Sequence, residues 1–211
     1  MQLKLPTKKP SGEKPPGSVS PEHFQDKVKN DGLVGLDVSA TGLAAARVSD
    51  GRVRTASITG LDSGLVVDGE IADPAQLGAA IAEFFDANGM PKRVRMGVAS
   101  PRVVIRTIEL PMITDRKQLD QAIRFQAAEH IPMPLEEAVI DHQVVRTVPA
   151  ADGEKLQVLL VAASRGLVES IAQTARKAGL KLQGIDLAAF ALIRVLCPGS
   201  ITENETIAYV H

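Results

Sequence analysis

Between residues 33 and 59 lie three short apolar runs: Leu33–Val38 (LVGLDV), Gly42–Val48 (GLAAARV) and Val53–Thr59 (VRTASIT). The connections between them are too short to reach anything but a neighbouring strand. The first is Ser39-Ala40-Thr41, and the second carries Asp50-Gly51, whose glycine accepts the positive φ of a tight hairpin. A three-stranded antiparallel meander is therefore expected. Asp73-Pro74-Ala75-Gln76 then supplies an N-cap, a proline at the first helical position and a capping-box glutamine. Leu77, Ile81, Phe84 and Phe85 recur at helical spacing, and Asn88-Gly89 ends that helix. A helical crossover places the next strand, Arg93–Ala99, most simply in the same sheet and parallel to a neighbour.

The pattern restarts at Val103–Leu110 (VVIRTIEL), a strand ended by Pro111. Thr114 is the expected cap of a helix from Asp115 to about Glu129, and Ile131-Pro132-Met133-Pro134 stops it. Ala138–Val148 and Lys155–Ala163 then form a hairpin across Ala151-Asp152-Gly153. This strand–helix–strand–strand module reads as an inserted subdomain. Ser164 caps the following helix, which carries Leu167, Val168, Ile171, Ala175 and Ala178 and ends at Gly179. A strand Lys181–Asp186 and an apolar helix Ala188–Leu196 follow. The last run, Thr206–Val210, reads as a strand at the chain end, so the expectation is the first lobe of a longer protein.

Composition narrows the function classes. The 211 residues hold 24 basic and 25 acidic side chains, a formal charge of −1 that argues against a general nucleic-acid binder. A single cysteine, Cys197, excludes a disulfide framework and a cysteine-cluster metal site, and reads as a small core filler. There is no tryptophan and only one tyrosine, which leaves little to stack on a base or a sugar. The longest apolar stretches, Leu187–Ile193 and Val158–Ala163, fall far short of the roughly 20 residues of a membrane-spanning helix. The N-terminus lacks an apolar secretory core, so the default location is the cytoplasm. Residues 1–31 hold five prolines and six lysines against four acids, a charge of +2 that leaves −3 for the rest. That composition predicts a flexible tail, either solvating or an arm for an acidic partner or anionic lipid.

Few residues offer chemistry. Asp37, Ser39, Ala40 and Thr41 make a turn that can aim backbone N–H groups at a phosphate, with a carboxylate at its edge for a Mg²⁺-bound water. The same residues also make an ordinary tight turn. On the helix from Asp115, Leu119, Ala122, Ile123 and Ala127 form the buried stripe, and Phe125 lies about 120° from Leu119. Phe125 either anchors a partner or packs beneath Ile131–Pro134, and the packed reading is the expectation. His130 and His142 read as structural, and Glu136-Glu137 as a solvated strand entrance.

Several segments, in order, resemble the PilM family of actin-like proteins in the type IV pilus inner-membrane platform. They are Ile108-Glu109-Leu110-Pro111 (family IELP), Ala122–Glu129 (AIRFQAAE, family AIRWEAEQ) and Ile131–Glu137 (IPMPLEE, family IPFPLEE). Val66–Ile71 (VVDGEI), Leu159–Ala163 (LLVAA, family VLLVAA) and Gly184–Ala191 (GIDLAAFA, family VDLEPFA) extend the match over residues 32–211.

The resemblance implies an α/β, actin-like (ribonuclease-H-like) first subdomain, 32–101 and 164–211, with the inserted subdomain at 102–163. It also implies a scaffold that binds the cytoplasmic N-terminal peptide of a PilN-like inner-membrane partner. Ile105, Ile108, Phe125 and Ile131 are the side chains expected to meet that peptide. The location would then be peripheral at the inner membrane, with self-association left open. The alternatives are an actin-like ATPase whose nucleotide state switches assembly, or a type II secretion or cell-division homologue. The family's phosphate turn reads Asp-Ile-Gly-Ser-Ser, and here Ser39 takes the glycine position, where a Cβ costs room. His211 falls where the second phosphate motif would place an Asp. No cofactor is expected for this chain, ATP and Mg²⁺ requiring a second lobe.

Overall fold

The computed structural model describes residues 32–151, 153–196 and 207–208. The meander forms as its turns dictate: β1 (Val34–Val38) pairs antiparallel with β2 (Gly42–Ser49), and β2 with β3 (Arg52–Gly60). Asp50 and Gly51 both take positive φ, 53° and 68°, the backbone of a two-residue hairpin that follows the twist of its strands. A small hairpin, β4 (Val66–Val67) and β5 (Glu70–Ile71), leads into α1 (Pro74–Ala87). Asp73 caps α1 by accepting hydrogen bonds from the N–H groups of Ala75 and Gln76, at 2.8 and 3.0 Å.

After α1, β6 (Arg93–Val98) enters the sheet beside β1 and parallel to it. At the far end, α3 (Arg165–Lys177) leads into β10 (Lys181–Leu187), parallel to β6, and then α4 (Ala188–Leu196). The sheet order β10-β6-β1-β2-β3, a meander continued by two parallel strands, is that of the actin-like class. Ser164 caps α3 through the N–H of Leu167. At the other end Leu180 N–H bonds the Ala175 carbonyl and Gly179 N–H that of Arg176, with Gly179 at φ 68°. Among the described residues the buried core lies on one face of this sheet: Val34, Leu36, Leu43, Val94 and Met96 of the strands meet Leu77, Ile81 and Phe85 of α1 and Leu167 and Ile171 of α3.

The segment between β6 and α3 builds a second sheet. It holds β7 (Val103–Pro111), α2 (Arg116–His130), β8 (Ala138–Ala150) and β9 (Gly153–Ser164), with strand order β7-β9-β8, all antiparallel. It has its own core, in which Leu119, Ile123 and Ala127 of α2 lie on Ile108, Leu110, Val144, Leu156, Val158 and Leu160. Pro111 is the last paired residue of β7, and it lies on an edge strand, where proline is tolerated.

Two local expectations need correction. Thr114 does not cap α2: the Asp115 carboxylate does, accepting from Gln118 N–H at 2.9 Å, and the helix starts one residue later, at Arg116. An ionised acceptor suits the positive helix end better than a hydroxyl. Phe125 does not pack beneath Ile131–Pro134; it is 70% exposed, whereas Ile131 and Met133 turn into the core with Leu119, Ile123 and Ala127. The strand expected at Thr206–Val210 and the environment of Cys197 lie outside the described residues.

Candidate functional site

The turn at Asp37–Thr41 closes on itself. Ser39 Oγ accepts hydrogen bonds from the N–H groups of Gly42 (3.0 Å) and Thr41 (3.4 Å) and donates to the Gly42 carbonyl (3.1 Å). Ser39 N–H bonds the same carbonyl at 3.0 Å, and the Thr41 carbonyl receives Leu61 N–H. A phosphate cradle needs free amides, and two of those in this turn are already taken by its own serine. Asp37 is exposed on the sheet face away from α1 and α3, and its carboxylate lies against Gly97. A Cβ at Gly97 would stand 3.0 Å from Asp37 Oδ1, so this glycine is what admits the carboxylate. The residues of the turn do not fit a nucleotide phosphate in this arrangement.

Asp37 stands in a groove of about 930 Å³ over that open sheet face. Its floor is made of small residues, Gly35, Ala44, Ala46 and Gly97, because the large members of the same strands point into the core. Leu192 and Val195 of α4 form one wall. The signal for this floor was present in LVGLDV and GLAAARV, where large and small residues alternate.

The four side chains expected to meet a peptide do not share a surface. Ile108 (4% exposed) and Ile131 (6%) belong to the core between α2 and the second sheet. Phe125 projects from the outer face of α2, flanked by exposed Gln121 and Ala128. Ile105, 38% exposed, lies on the sheet face opposite α2. Strand alternation explains the split, since Ile105 and Ile108 differ by an odd number of residues and point to opposite faces.

Ile105 instead joins a strip that sequence reasoning missed. In register, Val103 pairs with Ala163, Ile105 with Val161 and Thr107 with Leu159, while Val139 on β8 pairs with Ala163. Val103 and Ala163 pack against the core of the first sheet, so the strip starts at the junction of the two sheets. From there it runs outward through Ile105 and Val161, with Val139 exposed beside it. The visible signal was the run LQVLLVAA of β9, apolar at both parities: one set fills the α2 core and the other is left over.

His130 and His142 each meet a polar partner within the second sheet's unit. His130 Nδ1 lies 2.9 Å from the Gln126 carbonyl, one turn back on α2. His142 Nε2 stands 3.6 Å from Asp120 Oδ1, joining β8 to α2. Among the described residues no helix is long and apolar enough to cross a membrane.

Residues 35–204 match the family model of the type IV pilus assembly protein PilM. Among solved structures, the PilM-PilN type IV pilus biogenesis complex is similar at 26% identity and a TM-score of 0.69, over 80% of this chain and 51% of that one. The chain thus spans about half the length of the protein it matches. The cytoplasmic domain of EpsL, an inner-membrane component of the type II secretion system of Vibrio cholerae, also aligns, at 11% identity and a TM-score of 0.45. That alignment covers 72% of this chain and 56% of that domain. With four-fifths of its length under the family model and its mixed sheet in the actin-like order, the chain belongs to the PilM family of type IV pilus assembly proteins.

Proposed function

We propose that this chain is a scaffold of a type IV pilus assembly platform. In that role it binds the cytoplasmic N-terminal peptide of a PilN-like inner-membrane protein along the strip that starts at Val103 and Ala163. The observation that carries the reading is the likeness to the PilM-PilN complex over 80% of the chain. The strip supplies the physics: Ile105, Val161 and Val139 are aliphatic, partly open and held on a paired sheet, a surface suited to an extended aliphatic segment. A cytoplasmic location at the inner membrane follows from the partner.

A nucleotide-switched ATPase is the weaker reading, because Ser39 occupies the amides a phosphate would need. Fluorescence anisotropy with a labelled N-terminal peptide of the partner tests the scaffold reading. Ile105→Asp is expected to abolish binding and Phe125→Ala to leave it unchanged. The reverse pattern would move the peptide to α2 and refute the strip.

A further inference from the structure

The chain passes between the two sheets twice, forward through 99–102 and back at Ser164, and both crossings are held by contacts beyond the covalent chain. At the return crossing, Arg165 donates from Nε to the Glu136 carbonyl (3.1 Å) and from Nη2 to that of Ala138 (3.4 Å), tying the start of α3 to the entry of β8. At the forward crossing the contact comes from the β4–β5 hairpin. The hairpin is rooted in the first core: Val66 is buried there, Ile71 packs against it, and Ala72 N–H bonds the Leu65 carbonyl at 2.9 Å. Its tip, Asp68-Gly69, takes φ of 51° and 73°.

A Cβ on Gly69 would stand 2.2 Å from the Ala99 carbonyl oxygen and 3.0 Å from Ser100 Cα. The tip therefore touches the crossing segment backbone to backbone, at a distance only glycine permits. Glu70 adds an ion pair to Arg102 on the same segment. That pair is partly exposed, Glu70 less than Arg102, and reversing one of its charges would set two like charges against each other at the contact. Beyond the contact the segment turns sharply, with Arg102 N–H on Ser100 Oγ and Val103 N–H on the Ser100 carbonyl, both at 3.2 Å. Val103 is where β7 and the apolar strip begin.

We infer that the Asp68-Gly69 turn is a spacer that sets the angle between the two sheets, with Gly69 a positioning residue for the peptide strip. The second half of this statement rests on the scaffold reading above; the first does not. Each sheet has its own core, so displacing the segment reorients one unit against the other without dismantling either.

The test is a distance measurement by pulsed electron spin resonance between labels on α1 and α2, at Glu83→Cys and Lys117→Cys in a Cys197→Ala background. The unmodified spacer is expected to give one narrow distribution, and Gly69→Ala a shifted and broadened one. Gly64→Ala is the control, since Gly64 also has positive φ (89°) but nothing within 4 Å of a Cβ, and it should leave the distribution as it was. Should Gly69→Ala fail to fold, Arg102→Glu is expected to broaden the distribution and Glu70→Arg with Arg102→Glu to narrow it again. An unchanged distribution in Gly69→Ala, an equal change in Gly64→Ala, or no response to the charge reversals overturns the spacer.

Peptide binding measured on the same variants separates the two readings. Gly69→Ala is expected to weaken it by about tenfold, a usual size for coupling through a shifted element. A shifted distance with unaltered binding, or no binding by the parent chain, overturns the peptide strip and leaves the spacer standing.

Discussion

The hydroxyl of Ser39 accepts the N–H of Gly42 at 3.0 Å, so this turn directs an amide at its own side chain. From this, Mg-ATP at millimolar concentration is expected to produce no binding heat in calorimetry. Saturable binding would show that the turn opens and would restore the nucleotide reading. Ser39→Ala removes an exposed hydroxyl that satisfies local amides, and should cost about 0.5–1.5 kcal/mol in urea unfolding.

Phe125 supplies a second prediction. At 70% exposure it contributes little to folding, and Phe125→Ala should change stability by no more than about 0.5 kcal/mol. Two residues away, Ile123 is 1% exposed in the α2 core, and Ile123→Ala should cost about 2–5 kcal/mol. Urea titrations of the two variants check the contrast directly.

The α1–α3 crossing gives a third. A Cβ on Gly78 would lie 2.6 Å from Lys177 Cβ and 3.2 Å from the Thr174 carbonyl oxygen, so this glycine sets how closely the two helices pack. Gly78→Val is expected to lose roughly 1–3 kcal/mol through overpacking. Gly166→Ala, in α3 with nothing within 4 Å, should instead gain about 0.5 kcal/mol from helix propensity. Thermal melts of both should move in opposite directions.

The cap of α2 gives a fourth. Asp115→Ala should cost about 1 kcal/mol, because it strips the acceptor from Gln118 N–H. Thr114→Ala should cost much less. Equal losses would return the cap to Thr114.

Most of the fold was legible because its turns are chemically explicit. Asp50-Gly51, Asp73-Pro74 and Gly179 each admit one local backbone, and the elements between them follow. The restart at Val103 was legible too, since Pro111 and the Ile131–Pro134 segment punctuate it. Misplacement began where the answer depends on which face a residue takes against a distant element. Ile108 and Ile131 sit in a core that exists only once β9 pairs between β7 and β8, and Phe125 faces outward because, among the described residues, none of that core lies on its side of α2. The Gly69 contact was invisible for the same reason: Ala99 is thirty positions away, and only the folded crossing brings its carbonyl to the hairpin.

The central claim is that a PilN-like N-terminal peptide lies along the strip from the sheet junction. Titrating the isotope-labelled chain with that peptide and following amide NMR shifts tests it most directly. The account predicts perturbations that cluster at 103–107, 139 and 159–163 and leave the exposed face of α2 still. Shifts confined to residues 35–48, or centred on Phe125, would contradict it.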